Sequence, residues 1–165
     1  MAPGSDTFRL AMGVFYESDR LNGALHDLLR QGFVPGDLCL AGMRSALPSA
    51  ADLQDAGSEG IAALSALVQN VEAISHSQND AGLIATAGSV LQVLREVVPH
   101  FGESSGGPES CPSSKVFAKL AEHAYRGATL LVVRAPIPAL QDQCMRTLLK
   151  YSLHSVYAQE FKRQV

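Results

Sequence analysis

Residues 128–135 read ATLLVVRA, and within them Leu130-Leu131-Val132-Val133 is apolar on both sides of an extended strand. Successive side chains of a strand point to opposite faces. A sheet with one wet face therefore alternates apolar and polar residues, whereas an unbroken apolar run marks a strand covered on two sides. Something must lie over each face of the sheet that holds this strand, and the flanking sequence says what is available.

Downstream, Pro136-Ile137-Pro138 breaks the strand and sets up a helix whose first turn tolerates a proline. Leu140, Cys144, Leu148 and Tyr151 then recur at helical spacing, with Met145 and Leu149 beside them. Residues 155–161 (SVYAQEF) alternate and predict a final strand. The N-terminal part follows the same plan. Residues 8–16 (FRLAMGVFY) put Phe8, Leu10, Met12, Val14 and Tyr16 on one face, with Arg9, Ala11, Gly13 and Phe15 on the other. The small residues of the second face leave room for close packing. Glu17-Ser18-Asp19 reads as a helix start, and Leu21, Ala24, Leu25, Leu28 and Leu29 form one stripe. Gly32 is placed to end that helix, and residues 37–41 (DLCLA) form a short strand. A shift of 119 residues lays Leu21 on Leu140, Leu25 on Cys144 and Leu29 on Leu148, a repeat of pattern.

Two β-α-β units predict an α+β fold, a ferredoxin-like antiparallel sheet with both helices on one face. The expected division is a single domain over 1–165, with the first unit at 8–41, a large helical insertion at 42–126 and the second unit at 127–162. Within the insertion, Ile61, Leu64, Val68 and Val71 mark one helical stripe. A stronger one runs through Leu83, Ile84, Ala87, Val90, Leu91, Leu94, Val97 and Val98. Residues 48–56 suggest a short helix, and 114–125 another, with Val116, Phe117, Leu120 and Ala124 inward and Gly127 closing it. Residues 102–114 (GESSGGPESCPSS) read as a mobile loop. The inserted helices need somewhere to bury their stripes, and the second face of the sheet needs a cover. A second copy packed sheet to sheet would meet the same need.

Composition sets the class. At 165 residues the chain suits about one domain. Hydrophobic residues at 47%, charged residues at 18% and a mean hydropathy of +0.09 exclude disorder of the whole chain. The net charge of −3 argues against a nucleic-acid partner, which calls for a basic surface. The charge is uneven, net −6 over residues 1–99 and net +3 over 100–165. No stretch approaches the ~18 apolar residues of a membrane span, and the first residues lack the pattern of a signal peptide. Cys39, Cys111 and Cys144 stand at unpatterned spacings, which suits free thiols and a cytoplasmic location.

Motifs for chemistry are sparse. Gly102-Glu103-Ser104-Ser105-Gly106 matches G-x-S-x-G, but that motif works on a strand-to-helix turn, and here a helix ending at Pro99 precedes it and Gly107-Pro108 follows. His26, His76, His100, His123 and His154 show no metal-ligand spacing, and His26 and His123 read as solvated positions of helices. No phosphate-binding glycine loop is present, and Glu17 and Asp19 would repel a phosphate at the first helix. Basic residues near Tyr151, Tyr157 and Phe161 offer a weak RNA-binding pattern, set against an aliphatic central strand. No catalytic, metal or cofactor residue is therefore assigned.

The segments Gly13-Val14-Phe15, the acidic helix start, Ala24-Leu25 with Leu28-Leu29, Gly32-Phe33 and Asp37-Leu38 resemble the small bacterial general-stress-protein domain of the heat-induced type. The resemblance resumes at Gly127-Ala128 before LLVV and covers about 70 of the 165 residues. It implies two β-α-β halves and a stress-associated role, and carries over no catalytic residue. The leading expectation is a non-catalytic protein-interaction or stress-associated domain, working as a homodimer. The alternative is a regulatory domain that senses a small metabolite, bound between a strand end and a helix start or at a dimer seam.

Overall fold

The computed structural model describes residues 5–43, 45–47, 71–73, 84–86, 90–92, 112–152, 154 and 156–164. Among them are β1 (Ser5–Phe15), β2 (Leu38–Gly42), β3 (Val71–Ala73), β4 (Ile84–Thr86), β5 (Thr129–Arg134) and β6 (Val156–Gln164), with helices α1 (Ser18–Arg30), α2 (Pro112–Tyr125) and α3 (Pro138–Tyr151). The strands form one sheet in the order β3-β4-β2-β5-β1-β6. Every pairing is antiparallel. The chain is an α+β fold.

Each element follows from local sequence. Gly32 and Gly127 adopt φ of 104° and 105°, the left-handed backbone that glycine tolerates, and each closes a helix in the same way. Phe33 N–H donates to the Leu28 carbonyl and Gly32 N–H to Leu29. At the end of α2, Ala128 N–H donates to His123 and Gly127 N–H to Ala124. These paired bonds satisfy carbonyls that a helix end leaves free. Pro138 stands in the first turn of α3, where its missing N–H costs nothing.

The strand that opens the sequence reading is buried on both sides. Leu130, Leu131, Val132 and Val133 are all fully buried. Leu131 and Val133 face α1 and α3, in a cluster with Ala11, Leu25, Leu28 and Leu148. Leu130 and Val132 face the opposite way, among Leu10, Met12, Val14 and Cys39, with Leu120 and Ala124 of α2 and with Val90 and Leu91. The inserted segment thus supplies the second cover from within the chain. On the first face the small residues of β1 act as expected: a Cβ at Gly13 would lie 3.4 Å from Leu148 Cδ2, so α3 rides close over β1.

Several expectations need correction. The insertion is not purely helical, because β3 and β4 extend the sheet beyond β2, with Ala41 opposite Ala85 and Val71 opposite Thr86. Val71 and Ile84, assigned to helical stripes, are strand residues; pairing to an existing sheet edge overrides a short apolar period. Residues 90–92 are helical. Residues 112–114, assigned to the loop, are the first turn of α2. Leu149, placed beside the α3 stripe, is 62% exposed, while Gln141 and Thr147 are buried. Gln141 succeeds there because its Nε2 donates to the backbone oxygens of Leu10 and Gln159, at 3.2 and 3.4 Å. The helix at 48–56, the rest of the 61–71 stripe and residues 102–111 lie outside the described residues.

Candidate functional site

β1 ends at the corner where the chain turns into α1. Alternation along β1 puts Tyr16, just past its last residue, on the side of Leu10, Met12 and Val14, the side covered by α2. The last turn of α2 carries His123 toward that corner, and Tyr16 Oη lies 2.7 Å from His123 Nδ1. His154 arrives from the connection between α3 and β6. That connection is pinned at Ser152, whose hydroxyl donates to the Val14 carbonyl at 2.7 Å and accepts from the His154 N–H at 3.2 Å. The Tyr16 ring stands edge-on to both imidazoles, with centroid separations of 5.8 Å to His123 and 4.5 Å to His154. The two imidazole centroids are 6.2 Å apart.

Two cavities flank Tyr16. The smaller, about 20 Å³, lies among Tyr16, Glu17, Arg20, Tyr151 and His154 and has room for about one water molecule. The larger, about 330 Å³, opens between the β1–α1 corner, the turn after β2 and the start of β5. Its described lining offers Tyr16, Glu17, Ser18, Ser45 and Thr129 as polar groups over Phe15, Leu21 and Leu47. Glu17 accepts from Arg20 Nε at 3.1 Å, and Arg20 Nη1 also donates to the Tyr151 carbonyl at 3.4 Å. Thr129 Oγ1 donates to the Ala46 carbonyl at 2.8 Å, which fixes the turn after β2 as a wall.

Electrostatics single out His123. Burial, then the neighbouring His154, then Arg126 hold its imidazole below the ordinary value of 6.5, with Glu122 pulling the other way. A helix C-terminus also favours a cation, by about 0.3–1 kcal/mol, so the depression is a balance in which burial and two basic neighbours prevail. Cys39 and Cys144 are the opposite of reactive. Burial pushes both thiols up to about 12, and the thiolate is the nucleophile.

His123 corrects the sequence reading: it is half-buried and hydrogen-bonded rather than a solvated helix position. Cys111 and the G-x-S-x-G segment lie outside the described residues. Nothing in the sequence joins Tyr16, His123 and His154 into one site, because residues so far apart leave no spacing signature. The usable signal was positional, a tyrosine at the junction of a strand and a helix. Among the described residues no group of three or more His, Cys, Asp or Glu is arranged to hold a metal, and no helix is long and apolar enough to cross a membrane. Set against protein-family models, curated proteins and solved structures, the chain matches none.

Proposed function

We propose that this chain is a non-catalytic regulatory domain that binds a small polar metabolite at the β1–α1 corner, on a ferredoxin-like frame of two β-α-β units. The frame is supported by the order β6-β1-β5-β2 within the sheet and by α1 and α3 lying together on one face. The carrying observation is the cavity of about 330 Å³ between a strand end and a helix start. Its size is at the lower end of the range for small-molecule sites, and its lining combines hydroxyls and one carboxylate with the apolar Phe15, Leu21 and Leu47. The buried free thiols of Cys39 and Cys144 support a cytoplasmic setting.

The chain holds no tryptophan, so Ser45→Trp would place a single indole reporter on the exposed rim of the cavity. A panel of small polar metabolites is screened by thermal shift on the unaltered chain, since a ligand that binds only the folded form raises Tm. A compound that raises Tm and also changes the indole emission supports the reading. A panel that moves neither overturns it.

A second reading, a protein-interaction or stress-associated homodimer, is favoured by β6, a nine-residue strand at the edge of the sheet. Such an edge leaves backbone groups available for pairing with another chain. Sedimentation over a wide concentration range separates the readings: a self-associating species favours the dimer, and a monomer throughout removes it.

A further inference from the structure

We propose that Tyr16, His123 and His154 form an acid-sensitive latch, which holds the last turn of α2 against the β1–α1 corner and opens when the His123 imidazole takes up a proton. Its consequence for ligand access rests on the reading of the larger cavity given above; the latch itself does not.

The geometry joins three remote parts of the chain: the end of β1 through Tyr16, the end of α2 through His123, and the α3–β6 connection through His154. Leu120 and Ala124 hold α2 on the sheet by apolar contact, which does not respond to pH. The contact at the end of the helix does respond. With a neutral His123 ring, the 2.7 Å contact to Tyr16 serves either tautomer: the phenol donates to a bare Nδ1, or Nδ1–H donates to the phenol oxygen. A protonated ring donates at Nδ1 to the phenol oxygen and can keep this bond, so the response to acid comes from the added charge and not from loss of a donor or acceptor.

The new charge then stands among groups from each neighbouring element. His154 faces it from the α3–β6 connection, 6.2 Å away between centroids. Arg126 opposes it and Glu122 favours it, both from the end of α2. Glu17 and Arg20 of the corner lie beyond Tyr16 and hold each other at 3.1 Å. The folded form therefore takes up the His123 proton less readily than an open form, for which the ordinary value of 6.5 is the reference. The sign follows from linkage: stability of the closed arrangement is present above that value and is lost as pH falls below it. Opening would also displace the cavity wall, because Gly127, which closes α2, lines the larger cavity together with Tyr16.

Amide hydrogen exchange tests this without any ligand. Protection factors for the last turn of α2 and for Gly127 to Thr129, corrected for the intrinsic pH dependence of exchange, are followed from about pH 7.5 to about pH 5, across the imidazole range. The unaltered chain should lose protection there as pH falls, while β5 beyond Leu130 keeps its own. His123→Gln should flatten the profile. His154→Gln changes an exposed position and is expected to leave the fold intact. It should shrink the acid loss, and the His123 ring proton resonances should titrate at higher pH than in the unaltered chain. An identical acid loss in all three proteins overturns the latch, as does a His123 titration that His154→Gln leaves unmoved. Either failure leaves ligand binding at neutral pH untouched, and a cavity that binds nothing leaves the exchange profile intact, so the two proposals fail separately.

Discussion

The two faces of the sheet are covered in different ways. On the α1–α3 face, glycines let heavy side chains come close, and polar groups then fasten the helices to each other. A Cβ at Gly23 of α1 would sit 2.5 Å from Tyr151 Cε1 of α3. The Tyr151 hydroxyl donates to Asp27 at 2.8 Å, and Gln31 Nε2 donates to Thr147 at 2.8 Å. Lys150 Nζ adds an ion pair to Asp27 at 3.5 Å. On the opposite face α2 contributes Leu120 and Ala124 to the core and meets the corner through Tyr16 and His123. One cover is fastened by groups that stay charged well below neutral pH and by close ring packing. The other joins the corner through an imidazole that burial and the neighbouring His154 hold below its ordinary value.

The largest expected effect tests whether the covers are equal in apolar terms. Leu130 and Leu131 are fully buried on opposite faces, so Leu130→Ala and Leu131→Ala should each cost about 2–5 kcal/mol in denaturant unfolding. A near-neutral result for Leu130 alone would mean that α2 covers its face only loosely. Next comes the close approach. Gly23→Ala gains up to ~1 kcal/mol of helix propensity, yet it drives a methyl into a ring that Asp27 holds by its hydroxyl, so a net loss of about 1–3 kcal/mol is expected. The same change in a Tyr151→Ala background should lose that penalty. If it does not, the ring is not what limits the spacing of α1 and α3.

The smallest effect separates the faces by pH. The Tyr151 hydroxyl first, then Lys150 and Arg30, hold the Asp27 carboxyl below its ordinary 3.8 against the opposing effect of burial. A depressed carboxyl stabilises the fold above that value, and the contribution fades as pH falls through the folded-state value. Asp27→Asn should therefore remove an acid-dependent loss below about pH 4 and leave any loss near the imidazole range unchanged. Melting followed against pH in both proteins checks it. One shared acid transition, altered everywhere by Asp27→Asn, would show that the two covers do not act separately.

Much of this arrangement is legible in the residues, and the exceptions share a cause. β1, α1, β5 and α3 declare themselves because each buries a face whose period is visible locally, as in Leu21, Ala24, Leu25 and Leu28. The two-sided burial of β5 is readable for the same reason. β3 and β4 are not legible, because three residues carry no period, and β4 is held by β2, more than forty residues before Ile84 in the chain, with β3 in turn held by β4. The corner site is hidden in the same way. Nothing in the sequence links Tyr16, His123 and His154 to one another, and only the placement of β1 beneath α2 makes them neighbours. Local chemistry is written in local sequence, whereas a site assembled across the sheet depends on topology.

The strand order also bears on how the chain can acquire its fold. β1 and β2 run in the same direction and never touch, since β5 lies between them. Both partners of β1 lie beyond residue 128. Pairings of such long sequence separation are slow to form, because loop closure must precede any stabilising contact. During synthesis the N-terminal residues emerge first, so β1, an interior strand of the sheet, stays without a neighbour on either edge until the last quarter of the chain begins to appear. An isolated Leu10, Met12 and Val14 ridge is then open to other chains, and a ribosome stalled short of Thr129 would present an aggregation-prone strand instead of a half-built domain.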